Sequence, residues 1–331
     1  MIYTRRDMGR LALTAVPAAR LLAKPNSKFG GVQIGINAPY SYKNMAMSAD
    51  DILKTTVQLG LSAVELRTQP VEAFLGSPAA ARGGAVPGGA RGGAGAPAGG
   101  RGGRAPLTPE QEAAQRAAAE ELRKWRLSLS VDKFKAFRKK YEDAGVRIEI
   151  VKVDAIDGMT DDVVDYCFVL AKALGAKAIS CEIPLSKTKR LGEFADRHKM
   201  MVGYHGHANV TSPEAFGRPE SWETAMSYAK YNGVNLDIGH FIAGNSASPI
   251  PFLQKYHDRI THVHIKDRKM HNGPNTPFGE GETPIKETLQ LMRKEKYRFE
   301  ATIEFEYPIP QGSDLMKELA RCVEYCKNAL A

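Results

Sequence analysis

The stretch ITHVHIKD (residues 260–267) decides how this chain folds. Val263 and Ile265 alternate with His262 and His264, the period of two that marks a strand with one apolar and one polar face. The run ends in Lys266 and Asp267. Four other stretches have the same form: SCEIP with Glu182, YHGH with His205 and His207, LDIGH with Asp237 and His240, and TIEFEY with Glu304 and Glu306. Each cluster sits at or just past the end of an apolar, β-like run, and helix-like segments separate the runs. One rim of a parallel barrel would gather all five at one place.

Working outward, strand-like runs occur at 32–36, 62–67, 147–153, 177–183, 200–207, 234–238, 260–265 and 301–307. Amphipathic segments such as 50–59, 162–174 and 221–231 lie between most of them, and helix-like sequence runs from Thr108 to about Glu142. Eight strands alternating with helices predict an α/β fold of the (β/α)8 TIM-barrel type. A doubly wound open sheet would carry a glycine-rich first turn. Here that turn reads NAPYSY (37–42) and offers no phosphate cradle.

Two segments stand outside this pattern. Residues 1–27 place Arg5 and Arg6 ahead of the mildly apolar stretch 11–19, which predicts a twin-arginine-type export signal and a periplasmic location. The barrel is expected over 28–331. Residues 76–106 are glycine, alanine, proline and arginine without hydrophobic period, which predicts a disordered insert, tolerated on the loop-bearing rim.

The formal charge of +9 invites a nucleic-acid reading. Arg5, Arg6, Arg10 and Arg20 belong to the leader, and Arg82, Arg91, Arg101 and Arg104 to the insert. The folded body is then close to neutral, and no nucleic-acid partner is expected. The four cysteines form no CxxC pair, which argues against a disulfide framework or a thiolate zinc site. No stretch approaches the roughly 20 apolar residues of a membrane span, so no stable membrane anchor is expected. A homo-oligomer is compatible with the chain, without a specific interface signal.

In a barrel of this kind, carboxylates and imidazoles meeting at the strand ends suit one divalent ion: Mn²⁺, Mg²⁺, Co²⁺, Zn²⁺ or Fe²⁺. Buried carboxylates are costly unless paired or metal-bound. From Val32 onward the chain resembles the xylose isomerase-like barrels, which include sugar-phosphate isomerases, epimerases, inosose dehydratases and apurinic endonucleases. The resemblance rests on LDIGH, HVHIKD, the glycine loop FGEGE (278–282) and the terminal TIE. It implies Asp237, His264 and Glu304 as metal ligands, with Mn²⁺ the preferred ion. The family's fifth-strand glutamate is replaced by His205-Gly206-His207. Glu182 is the natural fourth ligand, His205 a possible further one, and Glu306 the alternative to Glu304.

The chemistry so implied is removal of a proton next to a sugar carbonyl to give an enediolate. Return of the proton then isomerises or epimerises, and loss of a β-leaving group eliminates. Glu304 is the first candidate base, and Glu182 or His205 its counterpart. His207, His240, Glu65, Arg67 and Lys266 are candidate substrate contacts, and Lys266 and Asp267 could instead orient His264. His262 is a weaker candidate, and Tyr40 and Tyr42 could stack on a sugar. Export favours an unphosphorylated carbohydrate, since phosphorylated metabolites are scarce outside the cytoplasm. The alternatives are a lyase or hydratase of a keto-sugar or keto-glycoside, and a non-catalytic periplasmic carbohydrate-binding barrel.

Overall fold

The computed structural model describes residues 24–81 and 108–331. Most of the expected export signal and of the expected insert lies outside the described residues. At the junctions, Ser27 is buried and its Oγ donates to the Ile34 carbonyl at 2.6 Å, and Pro78–Ala81 forms one helical turn.

Eight parallel strands form a closed ring: β1 (Val32–Ala38), β2 (Ala63–Arg67), β3 (Arg147–Lys152), β4 (Ala178–Cys181), β5 (Met201–His205), β6 (Asn232–Asp237), β7 (Ile260–Ile265) and β8 (Glu300–Ile303). Each pairs with the next, and β8 closes on β1. This is the (β/α)8 barrel that the alternation predicts. Ile34, Ile36, Val64, Leu66, Val202, Leu236, Val263 and Ile265 are buried in the layer between strands and helices. Among the described residues no helix is long and apolar enough to cross a membrane.

Three sequence expectations shift. The run 301–307 leaves the sheet after Ile303, because the Phe305 N–H turns to Ser41 Oγ at 3.1 Å. Glu304 and Glu306 therefore stand just above the strand. The helix expected from Thr108 to Glu142 is two helices, Pro109–Ser128 and Val131–Asp143. Ser128 Oγ folds back onto the Trp125 carbonyl at 2.7 Å, and Leu129 takes an extended backbone. Tyr42 is a core residue whose hydroxyl lies 2.7 Å from Thr56 Oγ1, so it has no part in the rim.

Branched aliphatic side chains usually fill such a barrel. Here the interior is polar. Asn235 on β6 donates to Ser180 on β4 at 3.1 Å, and His264 on β7 meets Glu65 on β2. On the same face of β8, two residues before Thr302, lies Glu300. Its Oε1 accepts from Thr302 Oγ1 at 3.0 Å, and a Cβ on Gly35 would come 2.8 Å from its Oε2. Burial, reinforced by the charge of Glu149, pushes the Glu300 carboxyl up to about 8.

A buried acid whose folded pKa is raised binds its proton more tightly than the unfolded chain does. Its contribution is favourable at low pH and declines as pH climbs from about 4.3, the unfolded value, to about 8. Glu300→Gln should melt close to the parent at pH 5 but several degrees higher, about 5 °C, at pH 9. Thermal melts at the two pH values check this, and parallel curves at both would refute it.

Candidate metal centre and active site

The site lies at the C-terminal ends of the strands. Asp237 closes β6 and also caps the helix Ile238–Asn245, its Oδ1 accepting the His240 N–H at 2.7 Å. That cap fixes the carboxylate and leaves Oδ2 without a hydrogen-bond partner. On the neighbouring strand, in register with Asp237, sits His264. Its Nε2 lies 2.5 Å from Glu65 Oε2, so its Nδ1 faces the site, 3.4 Å from Glu304 Oε1 and 3.9 Å from Asp237 Oδ2. Asn37, at the end of β1, donates to Glu304 Oε1 at 2.9 Å and orients that carboxylate.

On this rim His205 Nδ1 and His264 Nδ1 are buried without a hydrogen bond, and Asp237 Oδ2 and Glu304 Oε2 meet only the ammonium of Lys266, at 3.0 and 2.5 Å. Leaving such atoms unpaired is costly, and at native sites it calls for a ligand or ion. Two imidazoles and two carboxylates are a donor set that fits a divalent transition metal. His205, Asp237, His240 and Glu304 also bring one ligand atom each within 4.8 Å of one another. His240 carries a restriction, because its Nδ1 lies 2.7 Å from the Arg268 guanidinium, which can only donate.

Glu182, expected among the ligands, stands apart from these groups. Its Oε1 accepts from Lys152 at 2.6 Å and its Oε2 lies 3.1 Å from His207 Nε2. Burial would raise the Glu182 carboxyl, but Lys152 outweighs it and holds the group well below the usual carboxylate range. His207 and Glu182 are both half-exposed, and the His207 ring lies 4.8 Å from that of His205. Lys152 is buried and was not singled out in the sequence. Its signal is a lysine two residues after Ile150, near the end of the strand-like run 147–153.

The remaining candidates separate clearly. Glu65 is fully buried behind His264 and His262 and does not open to the mouth, so it acts on the site through His264. Arg67 pairs with Asp154, a partner the sequence did not reveal. Asp267 accepts from the backbone N–H groups of Gly279, Gly281 and Thr283, and so holds the FGEGE loop instead of orienting His264. Tyr40 donates to Glu306 at 2.6 Å. Lys266 lies among Asp237, Glu304 and Glu306 at 3.0, 2.5 and 2.7 Å.

Protonation follows from these contacts. Burial and the Glu304 charge push Asp237 up to about 7 against the pull of Lys266. Burial opposes ionisation of Glu304, but Lys266 and His264 keep it well below the usual range. Burial lowers His205 and His240 far enough to keep both imidazoles neutral, as a metal ligand or a hydrogen-bond acceptor must be.

Residues 112–326 match a family model described as a xylose isomerase-like TIM barrel. Among solved structures, a xylose isomerase domain protein from Alicyclobacillus acidocaldarius is 14% identical, with 90% of this chain and 99% of that one covered and a TM-score of 0.58. The probable 3-DHS dehydratase AsbF from Bacillus anthracis is 13% identical, with 88% and 97% covered and a TM-score of 0.56. The IolI protein with a bound zinc atom is 12% identical, with 89% and 95% covered and a TM-score of 0.53. At these identities the likeness is one of fold. Curated protein sequences give no match.

Proposed function

The chain belongs to the xylose isomerase-like TIM barrel family, and from that premise we propose that it is a divalent-metal-dependent isomerase or epimerase of an unphosphorylated sugar. The observation that carries this reading is the meeting at one rim of His205, Asp237, His240 and Glu304, whose ligand atoms lie within 4.8 Å of one another, with His264 Nδ1 3.4 Å from Glu304. A divalent ion held there would supply Lewis acidity toward a sugar carbonyl and so make the adjoining C–H more acidic. One fold neighbour carries a bound zinc atom, which is in keeping with a metal in a barrel of this fold.

The chain's own residues supply the rest. Glu65 holds the His264 ring with Nδ1 toward the site, and Asn37 sets the plane of the Glu304 carboxylate. Strands β4 and β8 stand opposite each other in the ring, so Glu182 and Glu304 approach a bound sugar from opposite sides. A proton taken on one side and returned from the other inverts a carbon. His207, bonded to Glu182 at the open mouth, holds or delivers the second proton. Arg67, Lys152 and Lys266 are each already ion-paired, which leaves them little charge to spend on a phosphate. In the same reading, the paired arginines of the leader send the protein to the periplasm.

A second reading is elimination from a keto-sugar or keto-glycoside. It is favoured by the Lys152–Glu182–His207 trio, which can protonate a leaving group. Both readings begin with loss of a C–H proton. The test is incubation of the Mn²⁺-supplemented enzyme with a panel of free sugars and keto-glycosides in D₂O. Deuterium should enter a carbon next to a carbonyl, and a chelator should abolish exchange. No exchange across the panel would count against both.

A further inference from the structure

We propose that Lys266 is a built-in competitor for the divalent ion and that Glu306 is the anchor holding it to one side. Together the pair would set how tightly the site binds metal. The inference rests on the metal-dependent reading above.

Lys266 Nζ lies within 3.0 Å of three carboxylates, but the three contacts differ. The one to Glu306 Oε2 is a directed hydrogen bond of 2.7 Å. Glu306 is itself fixed, its Oε1 accepting from Tyr40 at 2.6 Å and its Oε2 from Asn275 Nδ2 at 3.3 Å. The contact to Glu304 Oε2, at 2.5 Å, is the shortest of the three, and that to Asp237 Oδ2 is an ion pair at 3.0 Å. The ammonium thus lies on the two oxygens a metal would use, and of its three carboxylate partners Glu306 is the one outside them.

His240 Nε2 stands 2.8 Å from Lys266 Nζ, within hydrogen-bonding distance. Its other ring nitrogen faces Arg268, however, and a neutral imidazole has a single acceptor nitrogen. Arg268 and Lys266 cannot both donate to it. With that acceptor claimed by Arg268, Glu306 is the hydrogen-bonding anchor of Lys266. A fixed cation beside Asp237 and Glu304 weakens their hold on any other cation. Removing it should tighten metal binding. Removing Glu306 should leave the ammonium's charge to those two oxygens alone and weaken binding.

The test uses the full chain, stripped with a chelator and titrated with Mn²⁺ alone, with free Mn²⁺ followed by electron paramagnetic resonance. Lys266→Met should bind Mn²⁺ about tenfold more tightly or better, and Glu306→Gln about tenfold more weakly, each ~1.4 kcal/mol. Circular dichroism melts confirm folding, and if Lys266→Met does not fold, Glu306→Gln carries the test by itself. Mn²⁺ binding by the parent with neither variant shifted would overturn this inference and leave the metal reading standing. Weaker binding by Lys266→Met would also overturn it, because Lys266 would then support the site. No binding by the parent or either variant would overturn both.

Discussion

The Glu304→Gln variant is expected to lose deuterium exchange into its sugar substrate by about 10³-fold or more, while remaining folded. Glu304 shares one oxygen with Lys266 at the candidate metal rim and has the other aligned by Asn37. Glutamine keeps the shape, but it removes the charge and any capacity to take a proton. Its amide nitrogen would also face Lys266 in one orientation and Asn37 in the other, and both are donors. The barrel should survive, because Asp237 and Glu306 still neutralise Lys266. Two measurements check this: the exchange rate with Mn²⁺ in excess, and the melting curve. Retained sugar binding that is indifferent to metal and to this substitution would instead point to a carbohydrate-binding barrel without turnover.

The strands were legible because alternation is local. Val263 and Ile265 against His262 and His264 define a face whatever surrounds them. The rim was legible for the same reason, since Asp237, His264 and Glu304 fall at or just past strand ends that closure brings together. What could not be read was the partner of each group. Glu182 looked free to bind metal because nothing in SCEIP announces that Lys152 rises beside it from the neighbouring strand. The place of Lys266 among three carboxylates depends on how β6, β7 and β8 lean together, and no period encodes that. Its place near the end of its strand leaves Glu65 open to either a substrate contact or a structural ion pair. The width of the barrel sends it across the interior to His264.

That placement of Glu65 yields the second large effect. Glu65→Gln should weaken Mn²⁺ binding by about tenfold to a hundredfold, the usual consequence of removing the carboxylate behind a ligating histidine. Glu65 is fully buried and accepts from His264 Nε2, which leaves His264 Nδ1 as the nitrogen facing Asp237 and Glu304. A glutamine can turn its amide nitrogen toward the ring and lose that control of tautomer and orientation. The substitution has a signature in the chelator-treated protein as well. Burial opposes the charge on His264, but Glu65 and then Glu304 outweigh it and raise its pKa to about 10. A histidine raised in the folded state contributes stability that is fully present below about 6.5, its unfolded value, and is lost as pH rises through about 10. The parent's advantage in melting temperature over Glu65→Gln should therefore be largest near pH 6 and shrink steadily toward pH 10. If Glu65 instead touched substrate, the variant would change KM and leave both the Mn²⁺ titration and the pH dependence of melting as they are in the parent.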